Sequence, residues 1–168
     1  MSGSSIESAG VTLAQQMRDG MRRLASGVCV VTANNLLKQR FAMTASSVTS
    51  LSDNPPSLLV CINTDSRINQ PLLETQSFCI NILSASHQLV SNTCASPNTD
   101  EQRFEVGDWV KNQETGLYYL NDAEAVFFCE KVNVLQHGTH NIFIGNITKV
   151  STSQAEATPL IYLNGGYV

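Results

Sequence analysis

Between residues 28 and 83 the chain carries four short runs, VCVVTA (28–33), FAMTASSV (41–48), SLLVCIN (57–63) and SFCINIL (77–83). Each is rich in Val, Ile, Phe or Thr and is set off by turn residues, the pattern of β-strands. EAVFFCEKVNVL (124–135) and HNIFIGNITKV (140–150) read as a hairpin around residues 136–139, and PLIYLNGGYV follows. Many strands with few helices predict a mainly β barrel. In AVFFC both strand faces are apolar, whereas a barrel strand with one wet face alternates. Something besides the barrel interior, such as a second subunit, is therefore expected over the outer face.

The helical signals are few. VTLAQQMRDGMRRLASG sets Leu13, Met17, Met21, Leu24 and Val28 at spacings of three and four, a helical stripe. Thr12 and Gln15 suit a capping box, and Gly27 suits the helix end. The link SLSDNPP (50–56) holds Pro55 and Pro56 and is expected to be an ordered loop. Short helices are expected in TDSRINQPLLET and in SASHQLVSNTCA (84–95). The polar stretch SPNTDEQRFEVGDWVKNQETG that follows, with the only tryptophan, Trp109, reads as a long loop of the kind that often serves function.

A chain of 168 residues forms one domain, expected over residues 11–168 after a flexible leader at 1–10. With 42% hydrophobic and 14% charged residues, it has more apolar surface than one small domain hides, which points to association with a second copy. The net charge is −4 and the basic residues are scattered, so no nucleic-acid partner is expected. No segment approaches the ~20 apolar residues of a membrane span, and the start lacks a secretion signal. The expectation is a cytoplasmic protein with no membrane partner. Five cysteines without a C-x-x-C pair, several inside apolar runs, are expected reduced and mostly buried.

Chemistry-bearing residues concentrate in one region. Thr44, Ser46 and Ser47, followed by Cys61, Ile62 and Asn63 and by Ser66 and Arg67, supply hydroxyls, amides and one cation. Such a set can bond the polar edge of a flat heterocycle and receive a phosphate. The same hydroxyls on an isolated strand would equally face solvent or pair across strands. His137 and His140 lack the third ligand that a zinc site needs. Cys94 with His140 has no context that orients a nucleophile and base. In IYLNGGY the rings could stack on a planar ligand or staple the tail to the barrel. Neither GxGxxG nor GxxxxGK[ST] occurs, so a nucleotide would bind outside those motif-based folds.

Six segments in this order resemble the short-chain flavin reductases, partners of two-component flavin-dependent monooxygenases such as the 4-hydroxyphenylacetate hydroxylase system. They are MRRLASGVCVVTA (21–33), MTASSVTSLSDNPPSLLVCIN (43–63), FCINIL (78–83), RFEVGDW (103–109), GTHNIFIG (138–145) and PLIY (159–162). The resemblance implies an FMN-binding split β-barrel of Greek-key type with a few short peripheral helices, a homodimer, and flavin near the subunit interface. It assigns Thr44, Ala45, Ser46 and Ser47, with Met43 beside them, to the ring and ribityl chain of FMN or FAD. Cys61, Ile62 and Asn63 would add contacts, Ser66 and Arg67 would meet the phosphate, and Asn81 and Phe104 would lie close by. His140 and Tyr167 would contact NADH or NADPH. Phe41 and Ala42 depart from the pattern, since many relatives have glycine two residues before the Thr-x-Ser-Ser.

The implied activity is hydride transfer from nicotinamide C4 to flavin N5, with reduced flavin passed to a separate monooxygenase. Ring stacking and orientation carry such a step, so no catalytic acid or base is expected. Two alternatives are a split-barrel protein that holds flavin or haem without turnover and a split-barrel oxidase of a phosphorylated vitamin. The second would call for a denser basic pocket than 10 Lys+Arg residues provide.

Overall fold

The computed structural model describes residues 10–168, so the leader expected at 1–10 lies, but for Gly10, outside the described residues. The chain folds as helix α1 (Leu13–Met21) and strands β1 (Ser26–Gly27), β2 (Cys29–Asn34), β3 (Arg40–Ala45), β4 (Val48–Asp53) and β5 (Pro56–Asn63). Helix α2 (Asn69–Glu74), β6 (Ser77–Ile82), α3 (Gln88–Ala95), β7 (Trp109–Lys111) and β8 (Tyr118–Leu120) follow. The long hairpin β9 (Ala125–His137) and β10 (His140–Thr152) precedes β11 (Ile161–Leu163) and β12 (Gly166–Tyr167).

Seven strands form one antiparallel sheet in the order β3-β2-β6-β9-β10-β5-β4. Its two edge strands, β3 and β4, are separated in the chain only by Ser46 and Ser47. At ~3.8 Å per residue, Ala45 and Val48 are within roughly 11 Å of each other. The sheet must therefore curl until the end of β3 and the start of β4 come together, and the seam falls at the two serines. This is the split barrel that the resemblance implies.

Side-chain parity divides the core in two. Val31, Ile80, Phe78, Val60, Ile62 and Phe143 fill the barrel, with Ile68 and Leu72 from the α2 region. The opposite faces of the same strands, Val30, Cys79, Val126 and Phe128, pack under Val90 and Cys94 of α3 and Leu117 and Leu120 around β8. The outer face of AVFFC is covered, as expected, but by the chain itself and not by a second subunit, and Tyr119 meets Phe128 edge-on at 5.4 Å. The stretch expected as a long loop and the residues just after it supply the cover, because Trp109–Lys111 within it pairs with Tyr118–Leu120 beyond it as a hairpin.

Two further expectations change. Helix α1 stops at Met21, well before Gly27, because the C-terminal hairpin captures the segment after it. Asn164 N donates to Arg22 O at 2.8 Å, and β1 pairs with β11. Thr12 caps the helix through Gln15 N at 3.2 Å, but the Gln15 side chain turns to Asp19, so only half of the capping box forms. Residues 50–53 extend β4 instead of forming a loop, leaving a tight turn at Asn54 and Pro55. Pro56 sits at the ladder's first position, where its missing N–H is tolerated.

Candidate functional site

The seam of the barrel positions the polar cluster. Pairing of β3 with β2 ends at Ala45 and pairing of β4 with β5 resumes at Val48, so Ser46 and Ser47 belong to neither ladder. Ser47 Oγ donates to Cys61 O at 2.8 Å, joining the seam to β5. Two residues further along β5, Asn63 O accepts from Ser66 N and from Ser66 Oγ, a turn that presents Arg67 at the surface. Thr64 N donates to Thr139 O at 2.9 Å, and His140 stands opposite Asn63 in the β10–β5 register. Ser46, Ser47, Cys61, Asn63, Ser66, Arg67 and His140 therefore follow one continuous path from the seam to the hairpin tip.

Tyr167 reaches the same seam from the other side. Its hydroxyl lies 2.7 Å from Ser91 Oγ and donates to Asn92 Oδ1 at 3.0 Å, while Thr44 Oγ1 donates to Ser91 O at 2.6 Å. Thr44 thus spends its hydroxyl on α3, and Tyr167 connects to β3 through Ser91. The turn that returns Tyr167 uses Asn164 and Gly165 at φ 52° and 83°, the left-handed pair of a tight hairpin.

A cavity of about 1000 Å³ opens beside the seam. Ser46, Ser47 and Cys61 form its polar wall, Ile80, Ile82, Phe127 and Ile147 its apolar floor, and Met17, Arg18 and Met21 of α1, with Arg22 just after it, its far side. Its size is at the upper end of small-molecule sites. Helix α1 has no buried residue, and Met17 and Met21 are 60% and 57% exposed. The α1 wall was visible in the sequence only as an apolar stripe, with no sign that it borders the seam.

Several expected site residues are not in this cluster. Asn81 is fully buried, donating to Val30 O at 3.0 Å and accepting from Leu120 N at 2.8 Å, so it pins β8 to the barrel. Phe104 is core, edge-on to Trp109 and Tyr118 and beneath the Arg40 guanidinium. Ile62 and Ala45 point into the barrel, which leaves only their backbone for a ligand, and Met43 packs partly against the same interior. Ala42 is fully buried and its carbonyl accepts from Arg103 Nη1 at 2.6 Å.

Arg67 and Arg40 are each paired with a carboxylate. Arg67 Nη2 donates to Asp100 Oδ2 at 2.6 Å, and Arg40 holds Glu101 through Nε and Nη2. The hydrogen bond from Arg40 keeps the Glu101 carboxyl below its ordinary range. Burial pushes the thiols of Cys29, Cys94 and Cys129 up to about 12, and that of Cys79 up as well. Cys94 is thus a buried thiol in α3, whereas His140 is exposed on the hairpin, and the two form no nucleophile and base. Among the described residues no helix is long and apolar enough to cross a membrane.

Residues 21–168 match the family model described as the flavin reductase like domain. The chain is 36% identical over 154 residues to the reductase component of an FADH(2)-dependent resorcinol hydroxylase from Rhizobium sp. (strain MTP-10005), covering 91% of this chain and 85% of that one. It is 33% identical over 148 residues to an NADH:riboflavin 5'-phosphate oxidoreductase from Streptomyces pristinaespiralis, covering 88% and 83%. The NADH:FAD oxidoreductase SgcE6 of Streptomyces globisporus C-1027, solved with NAD and FAD fragments, superposes with a TM-score of 0.84 at 27% identity, covering 91% and 90%. Matched over nearly all of its length in sequence and in fold, the chain belongs to the flavin reductase-like family.

Proposed function

We infer that this protein is an NAD(P)H:flavin oxidoreductase that reduces FMN or FAD and supplies the reduced flavin to a separate monooxygenase. The observation that carries this reading is the seam. Ser46, outside either ladder, the neighbouring β5 backbone and a surface arginine offer donors along one path, and Ser47 Oγ, whose proton goes to Cys61 O, offers an acceptor. An apolar cavity floor beside them suits a planar ring. The donor set therefore fits a flavin, and Ser46, Ser47, Asn63, Ser66 and Arg67 are the residues that would hold it.

The bound flavin supplies the hydride-accepting ring. The chain's own part is positional. Ser46 and Ser47 orient the ring edge, Arg67 receives the phosphate, and His140 and Tyr167, approaching the seam from opposite sides, orient the nicotinamide. Holding two rings in a reactive stack converts an encounter into an intramolecular step, a gain that needs no nucleophile. Hydroxyls, amides and one arginine give binding firm enough for turnover and loose enough for release.

The exposed Met17 and Met21 beside the cavity support a homodimer in which a second copy covers α1 and closes the site. Five free thiols support a reducing, cytoplasmic setting. The test is NADH oxidation by the purified protein with and without added FMN or FAD. Oxidation that depends on flavin is expected. A chromophore that survives purification, with no NADH oxidation, would instead favour a flavin- or haem-holding protein.

A further inference from the structure

Arg67, the cation offered to the flavin phosphate, does not stand alone. Its partner Asp100 comes from the segment between α3 and β7, 33 residues away in the chain. The two ends of the pair differ in exposure: the Arg67 side chain is 59% exposed, that of Asp100 only 16%. Asp100 Oδ1 is enclosed and has no hydrogen-bond partner among the described residues. A carboxylate so placed depends on Arg67 for compensation, and drawing Arg67 away would strand a mostly buried anion. The pair therefore stays formed when a phosphate arrives, and the other donors of the Arg67 guanidinium are the ones left to meet it.

The segment that carries Asp100 is fastened to the seam strand. Arg103 Nη1 donates to Ala42 O at 2.6 Å and Arg103 Nη2 to Ser96 O at 2.9 Å, while the adjacent Glu101 takes up Arg40. Asp100 is thus held in place by contacts on both sides of it. The consequence is electrostatic. A phosphate meets a guanidinium of fixed direction whose charge is already balanced.

We propose that Asp100 sets how tightly this site holds a phosphorylated flavin, by neutralising Arg67 while keeping its remaining donors aimed outward. Asp100 is a positioning residue that acts through Arg67 and lowers the affinity for the phosphate, which favours release of the product. The proposal rests on the flavin site inferred above.

Dissociation constants for FMN and riboflavin, which differ only by the phosphate, test it in the wild type and in Asp100→Asn, Asp100→Glu and Arg67→Gln. Asp100→Asn keeps an acceptor for Arg67 and removes the charge, so FMN should bind about 3- to 10-fold tighter. Riboflavin should stay within about twofold of wild type, since it lacks the phosphate that senses the charge. Asp100→Glu should restore the wild-type ratio of the two affinities, and Arg67→Gln should weaken FMN alone. Because the pair is neutral, FMN binding to the wild type should be nearly as insensitive to salt as riboflavin binding, a reading that needs no variant to fold.

An unchanged or lower FMN to riboflavin affinity ratio in Asp100→Asn, or a wild-type FMN affinity that falls steeply with salt, overturns the proposal. If Arg67→Gln affects both flavins equally, the phosphate lies elsewhere and the proposal fails while the flavin site stands. If the wild type binds neither flavin, the flavin site fails with it.

Discussion

At the scale of single residues, Ser46 separates from the hydroxyls around it. Thr44 is committed to Ser91, and Ser47 to Cys61 O, while Ser46 is exposed on the seam. Replacing Ser46 and Ser47 by alanine should weaken FMN binding by about 1 to 2 kcal/mol, the worth of one or two hydrogen bonds. Circular dichroism should be unchanged, and an unaltered FMN affinity in a folded double variant would remove the serines from the site. His140→Ala should raise the KM for NADH more than that for flavin in steady-state assays, because His140 lies at the hairpin tip and its ring hydrogen-bonds only Thr139 among the described residues. The reverse split would place it elsewhere. What the sequence reveals at this scale is uneven. Ser46, Ser47 and Arg67 stand out as polar residues at strand ends, but Asn81, equally polar, is spent inside the fold, and only the placement of Leu120 shows it. Asp100 is invisible from sequence, since nothing in a polar loop marks which acid faces an arginine on another element.

At the scale of elements, local pattern identifies strands and misjudges what surrounds them. The apolar, β-branched and aromatic runs of β2, β6 and β9 are legible, as is the hairpin of β9 and β10. The cover over their outer faces is not, because its apolar residues, Leu117 and Leu120, are spaced among polar turns. The end of α1 was likewise hidden, since a distant hairpin decides it. Gly145 on β10 shows how closely these elements pack. An added Cβ would lie 2.6 Å from Phe78 Cζ, 2.8 Å from Phe78 Cε1 and 3.0 Å from Cys129 Cβ. Phe78 is fully buried, so it cannot swing aside. Gly145→Ala should therefore destabilise the fold by about 1 to 3 kcal/mol, seen as a lower midpoint in urea with the slope retained. Wild-type stability would mean that the barrel interior yields more readily than its packing suggests.

At the scale of the molecule, the apolar face of α1 is the main support for the proposed homodimer. Four apolar side chains of α1 and the residues after it, Leu13, Met17, Met21 and Leu24, are exposed in the single chain. Met17, Met21 and Leu24 line the cavity that borders the seam. Replacing Met17 and Met21 by glutamine should shift the protein in analytical ultracentrifugation from a dimer toward the 18.3 kDa monomer, with a weaker flavin affinity as the cavity opens. A wild type that sediments as a monomer would leave the stripe unexplained by a second copy. The excess of apolar over charged residues points to this association at the level of composition. The place where a second copy would dock does not follow from composition, because it depends on α1 standing free of its own core.

The central claim is that the seam binds a flavin and brings a nicotinamide to it. Mixing the purified protein anaerobically with NADH or NADPH and either FMN or FAD, and following the visible absorbance of the oxidised flavin, tests this most directly. The account predicts bleaching at a rate proportional to protein concentration, with return of the absorbance when air is admitted. No bleaching above the protein-free rate with any of the four combinations would contradict it.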